Sequence, residues 1–356
     1  MDSVEGVDTV GRKTRYQPGQ LLPGVFLKGE YPYTAAGGIQ MALDPADSYG
    51  VPPRLQVIVR CYDGYTQTAP PLNPQHTLIS RQPQGAHLSP GYLHGNLCEI
   101  CRGVPMKITI LGSGTSTGIP MVGCKCPVCT SSDPRDSRTR ASLLVEHGGR
   151  YILVDTSTDL RIQAVRAGIP RIDAVLFTHA HADHVHGIDE MRGFHFHQRE
   201  VIPCYASRET LTELLGKFDY IFNGRYAHGY HKIMEPHEIA APFELFGLGI
   251  TPIPLLHGNM PATGFRFGPL AYLTDCNRVP EGSMELLKGT EILIIDGLRH
   301  TPHPHHFNIR EAIDMATEIS PRETYITHLT HEVSHSEEAD LPAGIHFAYD
   351  GLSFTI

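Results

Sequence analysis

THAHADHVHG, residues 178–187, follows the apolar run IDAVLF and packs four histidines and an aspartate into ten positions. His179, His181, Asp183 and His184 therefore leave a strand end on one loop, where side chains can converge on a point. Alternation along a strand would instead spread them over one face. Imidazole together with carboxylate suits zinc, manganese or iron. A solvated histidine-rich loop is the bland alternative, and the H-x-H-x-D-H order fits it poorly.

A metal centre needs ligands from elsewhere, and apolar runs along the chain end on suitable side chains. TPIPLLH ends at His257, LAYLTD at Asp275, ETYITH at His328 and YILVD at Asp155. Each alone reads as a satisfied polar group at the rim of a core. Together they point to one sheet edge lined with ligands.

Between these points strands and helices follow in turn. ASLLVEHGGRYILVDT reads as a hairpin around Gly148 and Gly149. TDLRIQAVRAG reads as an amphipathic helix capped by Thr158 or Ser157 and stopped at Gly168. IDAVLFTH, VIPCYA, ITPIPLLH, LAYLTD, EILIID, ETYITH and GIHFAYDGLSFTI are expected strands; RETLTELLGKFDYIF and NIREAIDMATEI are expected helices. The pattern predicts an α/β fold with sandwiched sheets.

Composition shifts near residue 105. Residues 1–105 carry 12 of the 28 prolines and 13 of the 35 glycines but only three of the 22 histidines. Stretches such as APPLNPQ support neither helix nor strand. Residues 1–105 are therefore expected to be a segment of low order, and RLQVIVRCY (54–62) a strand with nothing to pair with. MKITILGSG then opens a compact domain over 106–356, and Met106 itself reads as an alternative translation start. A net charge of −9 argues against a surface that coats nucleic acid. No 18-residue apolar run is present, so nothing is expected to span a membrane. With no secretory signal evident and eight cysteines read as metal ligands or reduced thiols, a cytoplasmic location is expected.

The order of these elements and side chains resembles the metallo-β-lactamase fold, an αββα sandwich with a dinuclear site at one sheet edge. The resemblance spans residues 106–356. It implies that His179, His181 and His257 hold one divalent metal. Asp183, His184 and His328 would hold the other, Asp275 would bridge them, and Asp155 would orient the histidine loop by hydrogen bonds. Zinc, manganese and iron all suit such ligands. Cys276, beside Asp275, reads as a buried thiol.

A second cluster narrows the family. GCKCPVC (123–129) sets Cys124, Cys126 and Cys129 after the opening GSGTSTG, which reads as a feature of the fold close to the site rather than a nucleotide loop. This pattern resembles phosphoribosyl 1,2-cyclic phosphate phosphodiesterase, which implies a separate structural zinc with a histidine as fourth ligand. HLTHE supplies His331 three residues beyond His328; Cys98 and Cys101 of CEIC compete for that place. The same resemblance implies a general acid. The segment LRHTPHPHHFN offers His300, His303, His305 and His306, with His306 favoured and His303 next. Asp183 and His306 are thus the expected catalytic pair.

The reaction expected is metal-dependent hydrolysis of a small cyclic phosphodiester, in which the metal pair lowers the pKa of a water toward about 7 and His306 protonates the departing alkoxide. The partner is then a small molecule; nucleic acid and membrane are not expected, and a homodimer stays open. Two readings compete. A transfer-RNA 3′-processing endonuclease of this fold would carry a basic arm, yet residues 185–257 hold six Lys/Arg against nine Asp/Glu. A non-hydrolytic protein resembling pyrroloquinoline quinone biosynthesis protein B would not need the full set of seven ligands.

Overall fold

Strands 142–147, 150–154 and 292–296 carry apolar residues at consecutive positions, which a strand can afford only if both of its faces are buried. In the computed structural model they are. Leu143 and Val145, Ile152 and Val154, and Ile292 and Ile294 point into a core shared by two sheets. Leu144 and Leu153 point to an outer core on one side, while Leu293 and Ile295 point to a second outer core on the other. Three apolar layers separate four layers of structure, the αββα sandwich expected.

The structure describes residues 104–223 and 232–356, together with the backbone of five short strands between residues 4 and 68. The chain divides into two compact units, Met1–Leu88 and Ser89–Ile356. In the first, Val4–Val7 pairs with Lys13–Tyr16. Leu55–Arg60 is flanked by Ile39–Leu43 and Thr66–Thr68, both antiparallel. The strand read at 54–62 is therefore present but not unpaired; its partners IQMAL and TQT are too short to stand out from the surrounding Gly and Pro. The low order expected for the rest of 1–105, and Cys98 and Cys101, lie outside the described residues.

The second unit holds two seven-stranded sheets. One runs Met234–Glu238, Ile202–Ala206, Ala174–Leu176, Arg150–Val154, Ser142–His147, Met106–Gly112 and Ser353–Thr355. The other runs Phe243–Leu245, Leu248–His257, Met260–Phe267, Leu270–Leu273, Ile292–Asp296, Glu323–Thr327 and Ile345–Phe347. Each sheet mixes an antiparallel part with a run of parallel strands. Arg150–Val154 and Ala174–Leu176 are parallel neighbours in the first; Leu270–Leu273, Ile292–Asp296 and Glu323–Thr327 are parallel neighbours in the second. Open parallel sheets present ligand sites at the carboxyl ends of their strands, and those ends are where Asp155, Asp275, Asp296 and His328 follow.

Helices cover the outer faces. Leu160–Ala167 ends at Gly168 in the left-handed region (φ 62°), as its sequence predicts. Its N-cap is Asp159, not Thr158 or Ser157, and makes no side-chain cap bond; Ser157 instead accepts from the Asp159 N–H. Ile309–Ile319 begins with a capping box between Asn308 and Glu311. The helix read over 208–222 breaks at Phe218 into Arg208–Lys217 and Asp219–Phe222, where Phe218 leaves helical backbone (φ −127°, ψ 38°) and packs into the outer core. The single strand read over 344–356 is two strands, Ile345–Phe347 and Ser353–Thr355, in different sheets. The turn between them is tied down by Asp350, which accepts from the Ser113 and Thr139 backbone N–H groups. No described helix is long and apolar enough to cross a membrane.

Candidate metal centre

The Ala174–Leu176 strand delivers Thr178 and His179 to the sheet edge, and the chain then forms a single helical turn, Ala182–Val185. The stretch read as a plain loop is thus part loop and part helix. The turn aims Asp183 and His184 back at the strand ends, with His184 fully buried. His179, His181 and His257 bring three ligand atoms together within 4.8 Å of one another. Asp183, His184, Asp275 and His328 form a second such group.

Asp275 joins the two. Its Oδ2 lies 3.2 Å from His184 Nε2, 3.1 Å from His328 Nε2 and 3.9 Å from His179 Nε2. The carboxylate is 2% exposed and is held well below its ordinary pKa: burial opposes ionisation, and its electrostatic interaction with His328 and His184 overrides that penalty. The Nε2 atoms of His179, His184 and His328 are buried and find no hydrogen-bond partner. Unpaired buried nitrogens cost free energy, and three of them around one carboxylate form a cradle suited to divalent cations. The donor set fits.

Accessory bonds fix each ring. His184 donates from Nδ1 to Asp155 Oδ2 at 2.7 Å, and Asp155 also accepts from Thr178 N and Oγ1. Thr178 Oγ1 in turn accepts from His179 Nδ1 at 3.0 Å. His257 donates from Nδ1 to the His305 carbonyl at 2.7 Å. In every case Nδ1 is engaged and Nε2 is the ring nitrogen left facing the cluster, the orientation a metal-binding histidine requires. Burial lowers the pKa of His257 to about 4, so the ring is neutral and free to donate its Nε2 lone pair. Asp155 and His328 both adopt left-handed backbone (φ 62° and 61°), a conformation that persists for such residues only where surrounding bonds over-determine it.

Among the four histidines of the 300–306 segment, the structure separates the roles. His300 is exposed and pairs with Glu337 at 2.7 Å. His305 packs against Gly258, where a Cβ would meet its Cδ2 at 2.5 Å. His303 is half-buried, with its ring 5.1 Å from that of His306. His306 alone is buried beside the cluster, stacked on His328 with ring centroids 4.8 Å apart. Its Nδ1 donates to Asp296 Oδ2 at 2.7 Å. Burial alone would lower the His306 pKa, but the Asp296 carboxylate outweighs it and raises the value to about 9. Asp296 was not singled out by the sequence reading. It ends the apolar run EILIID as Asp155 and Asp275 end theirs, so the same signal marks it. Cys276 is fully buried with its thiol pKa pushed well up by that burial, as expected of a packing residue.

The cysteine cluster stands apart from these groups. Cys124, Cys126 and Cys129 place Sγ at 3.2, 3.4 and 3.7 Å from His331 Nδ1. Tetrahedral zinc with ordinary Zn–S and Zn–N bonds separates S from N by about 3.5 Å, which these distances bracket. Backbone hydrogen bonding from Cys129 lowers the Cys126 pKa to about 6, favouring thiolate. The cluster is fastened to the catalytic edge: the fully buried Arg138 donates to the Thr330 and Val333 carbonyls on either side of His331. Leu329, next to His328, exchanges backbone bonds with Ser113 and Thr115 of GSGTSTG. A zinc held here would contribute folding free energy, so Cys126→Ser is expected to lower both the zinc content per chain and the melting temperature. Turnover per folded molecule should change far less; metal analysis beside thermal unfolding checks both.

Residues 150–329 match the family model described as a beta-lactamase superfamily domain. The chain belongs to this superfamily, with the metallo-β-lactamase fold. Within it, the chain is similar to a crystal structure described as a new diphosphatase from the PhnP family. The two are 42% identical with a TM-score of 0.67, over 71% of this chain and 97% of that one. It is also 40% identical over 257 residues to an octanoyltransferase of Porphyromonas gingivalis, across 70% of this chain but 52% of that protein; the chain thus spans about half the length of that relative. Coenzyme PQQ synthesis protein B of Methylobacterium nodulans is 30% identical over 230 residues, across 54% of this chain and 73% of that protein.

Proposed function

We propose that the protein is a dinuclear-metal phosphodiesterase acting on small cyclic phosphodiesters of the phosphoribosyl 1,2-cyclic phosphate kind. The observation that carries this reading is the position of Asp275 Oδ2 within 3.9 Å of histidines from both ligand groups. His179, His181 and His257 would hold one metal, Asp183, His184 and His328 the other, and Asp275 would bridge; zinc, manganese and iron are each compatible. The cysteine cluster with His331 would hold a separate structural zinc. When bound, such a pair lowers the pKa of water and offsets charge developing on phosphoryl oxygens. The chain's own residues do the rest. Asp155 and Thr178 lock the histidine loop, Asp275 supplies the shared negative charge, and Asp296 keeps His306 protonated so that it can deliver a proton to the departing oxygen.

The likeness to a PhnP-family diphosphatase supports phosphoryl chemistry at this edge, and its name adds a phosphoanhydride to the candidate bonds. An acyl-transfer reading after the Porphyromonas relative finds little here. Cys276, adjacent to Asp275 in sequence, is fully buried with a raised pKa and directs its thiol to the Leu273 carbonyl. The test is a substrate panel: cyclic ribose phosphates, 2′,3′-cyclic nucleotides, an aryl phosphodiester, a diphosphate ester and a transfer-RNA precursor, each with zinc, manganese or iron. Cleavage confined to the small phosphodiesters is the expected result. Cleavage of the transfer-RNA precursor alone would displace the proposal, as would silence across the panel from protein shown to carry its metals.

A further inference from the structure

Three loops meet at the sheet edge, one beginning directly after His257 and two carrying Asp275 and His306, and the segment from His300 to Phe307 contains no helix or strand. Its position comes from hydrogen bonds outside regular secondary structure. We infer that Asn277 is a positioning residue that clasps these three loops together. Asn277 lies two residues beyond Asp275. Its Oδ1 accepts from the N–H of Gly258, the residue after His257, at 2.8 Å. Its Nδ2 donates to the carbonyl of Pro304, two residues before His306, at 2.8 Å.

A planar amide offers one acceptor and a pair of donors on opposite corners. Only one orientation of this amide satisfies both neighbours, so the assignment of its oxygen and nitrogen follows from the bonds themselves. Backbone bonds complete the clasp. Asn277 N donates to Leu256 O at 2.9 Å, Leu256 N to Arg278 O at 3.1 Å, and Phe307 N to Cys276 O at 2.8 Å. The consequence reaches the imidazole of His257. Its Nδ1 proton goes to the His305 carbonyl, and that carbonyl is adjacent to the Pro304 peptide that Asn277 holds. One side chain thus anchors the backbone after His257 and the segment that accepts its ring proton, while aligning the backbone that leads to His306. The close packing of His305 on Gly258 leaves little slack to absorb a shift.

This inference rests on the phosphodiesterase reading only for its kinetic arm. The experiment compares full-length wild type, Asn277→Ala and Asn277→Asp, each loaded with cobalt(II), by visible absorption, thermal unfolding and turnover of an aryl phosphodiester. Asn277→Ala removes both bonds and is expected to shift the cobalt ligand-field bands and to lower kcat about 10-fold or more, since small displacements at a reacting centre are costly, with KM little changed. Asn277→Asp keeps the acceptor for Gly258 but loses the donor to Pro304, and should lose kcat comparably while perturbing the cobalt spectrum less. A lowered melting temperature with unaltered spectrum and kcat in Asn277→Ala would reduce Asn277 to a structural bond and overturn the inference. Full kcat in Asn277→Asp would also overturn it. If wild type turns over no phosphodiester, the function falls, and the cobalt spectra alone decide the clasp.

Discussion

Asp275→Ala is expected to reduce phosphodiester hydrolysis to background and to strip the sheet edge of the metals proposed there, leaving only the zinc proposed for the cysteine site. Asp275 Oδ2 approaches three histidine nitrogens, two of them within 3.2 Å. Those nitrogens are buried and otherwise unpartnered. Without the carboxylate, cations entering the cradle would meet imidazoles and Asp183 as the remaining negative ligand, in surroundings that penalise uncompensated charge. As the proposed bridge, Asp275 would serve both metals, so the loss should be of the pair. Metal analysis separates this outcome from misfolding, because the cysteine zinc and the far-ultraviolet circular dichroism should persist. Retention of both catalytic metals with activity would remove Asp275 from the bridging role.

His306→Ala should behave differently, keeping its metals and its substrate affinity while kcat falls by about 10² or more. The His306 ring is fixed by a 2.7 Å bond to a fully buried carboxylate, and a pKa of about 9 keeps it protonated at neutral pH. Those are the attributes of a proton donor rather than of a metal ligand. The two roles have to be separated by experiment, because Asp275, Asp296, His306 and His328 also bring ligand atoms within 4.8 Å of one another. Substrates with a good leaving group need no proton, so the defect should shrink sharply with an acidic phenol and stay large with an alkoxide. A defect of equal size on both, or loss of metal in the variant, would contradict the assignment of His306 as acid.

Much of the fold was legible because both faces of its central strands are buried. Continuous apolar runs such as EILIID and YILVD stand out and end abruptly at polar residues, so strand ends and candidate ligands are marked by one signal. The H-x-H-x-D-H order added a geometry that few other sequences share. The failures have physical causes. Met260–Phe267 carries Pro and Gly, Met234–Glu238 at the sheet edge is MEPHE with only Met234 buried, and neither has the pattern of a strand. The helix break at Phe218 coincides with a non-helical backbone at a buried ring, which no local propensity records. Asp296 was passed over because its value depends on His306, ten residues away in sequence and brought to it only by the fold. Asn277 shows the limit of sequence reading most plainly: an amide two residues after a candidate ligand means nothing until Gly258 and Pro304 are seen on either side of it.

The two sheets contribute unequally but jointly to the cradle: His179, His181, Asp183 and His184 follow strands of one, and His257, Asp275 and His328 follow strands of the other. Each proposed metal would therefore draw ligands from both sides of the sandwich. Bound cations then act as rivets through the seam, and their binding free energy adds to the cohesion of the two halves. Metal scarcity would loosen the sandwich along its catalytic margin before it disturbed the interior, so mechanical integrity and chemical competence of that margin would fail together.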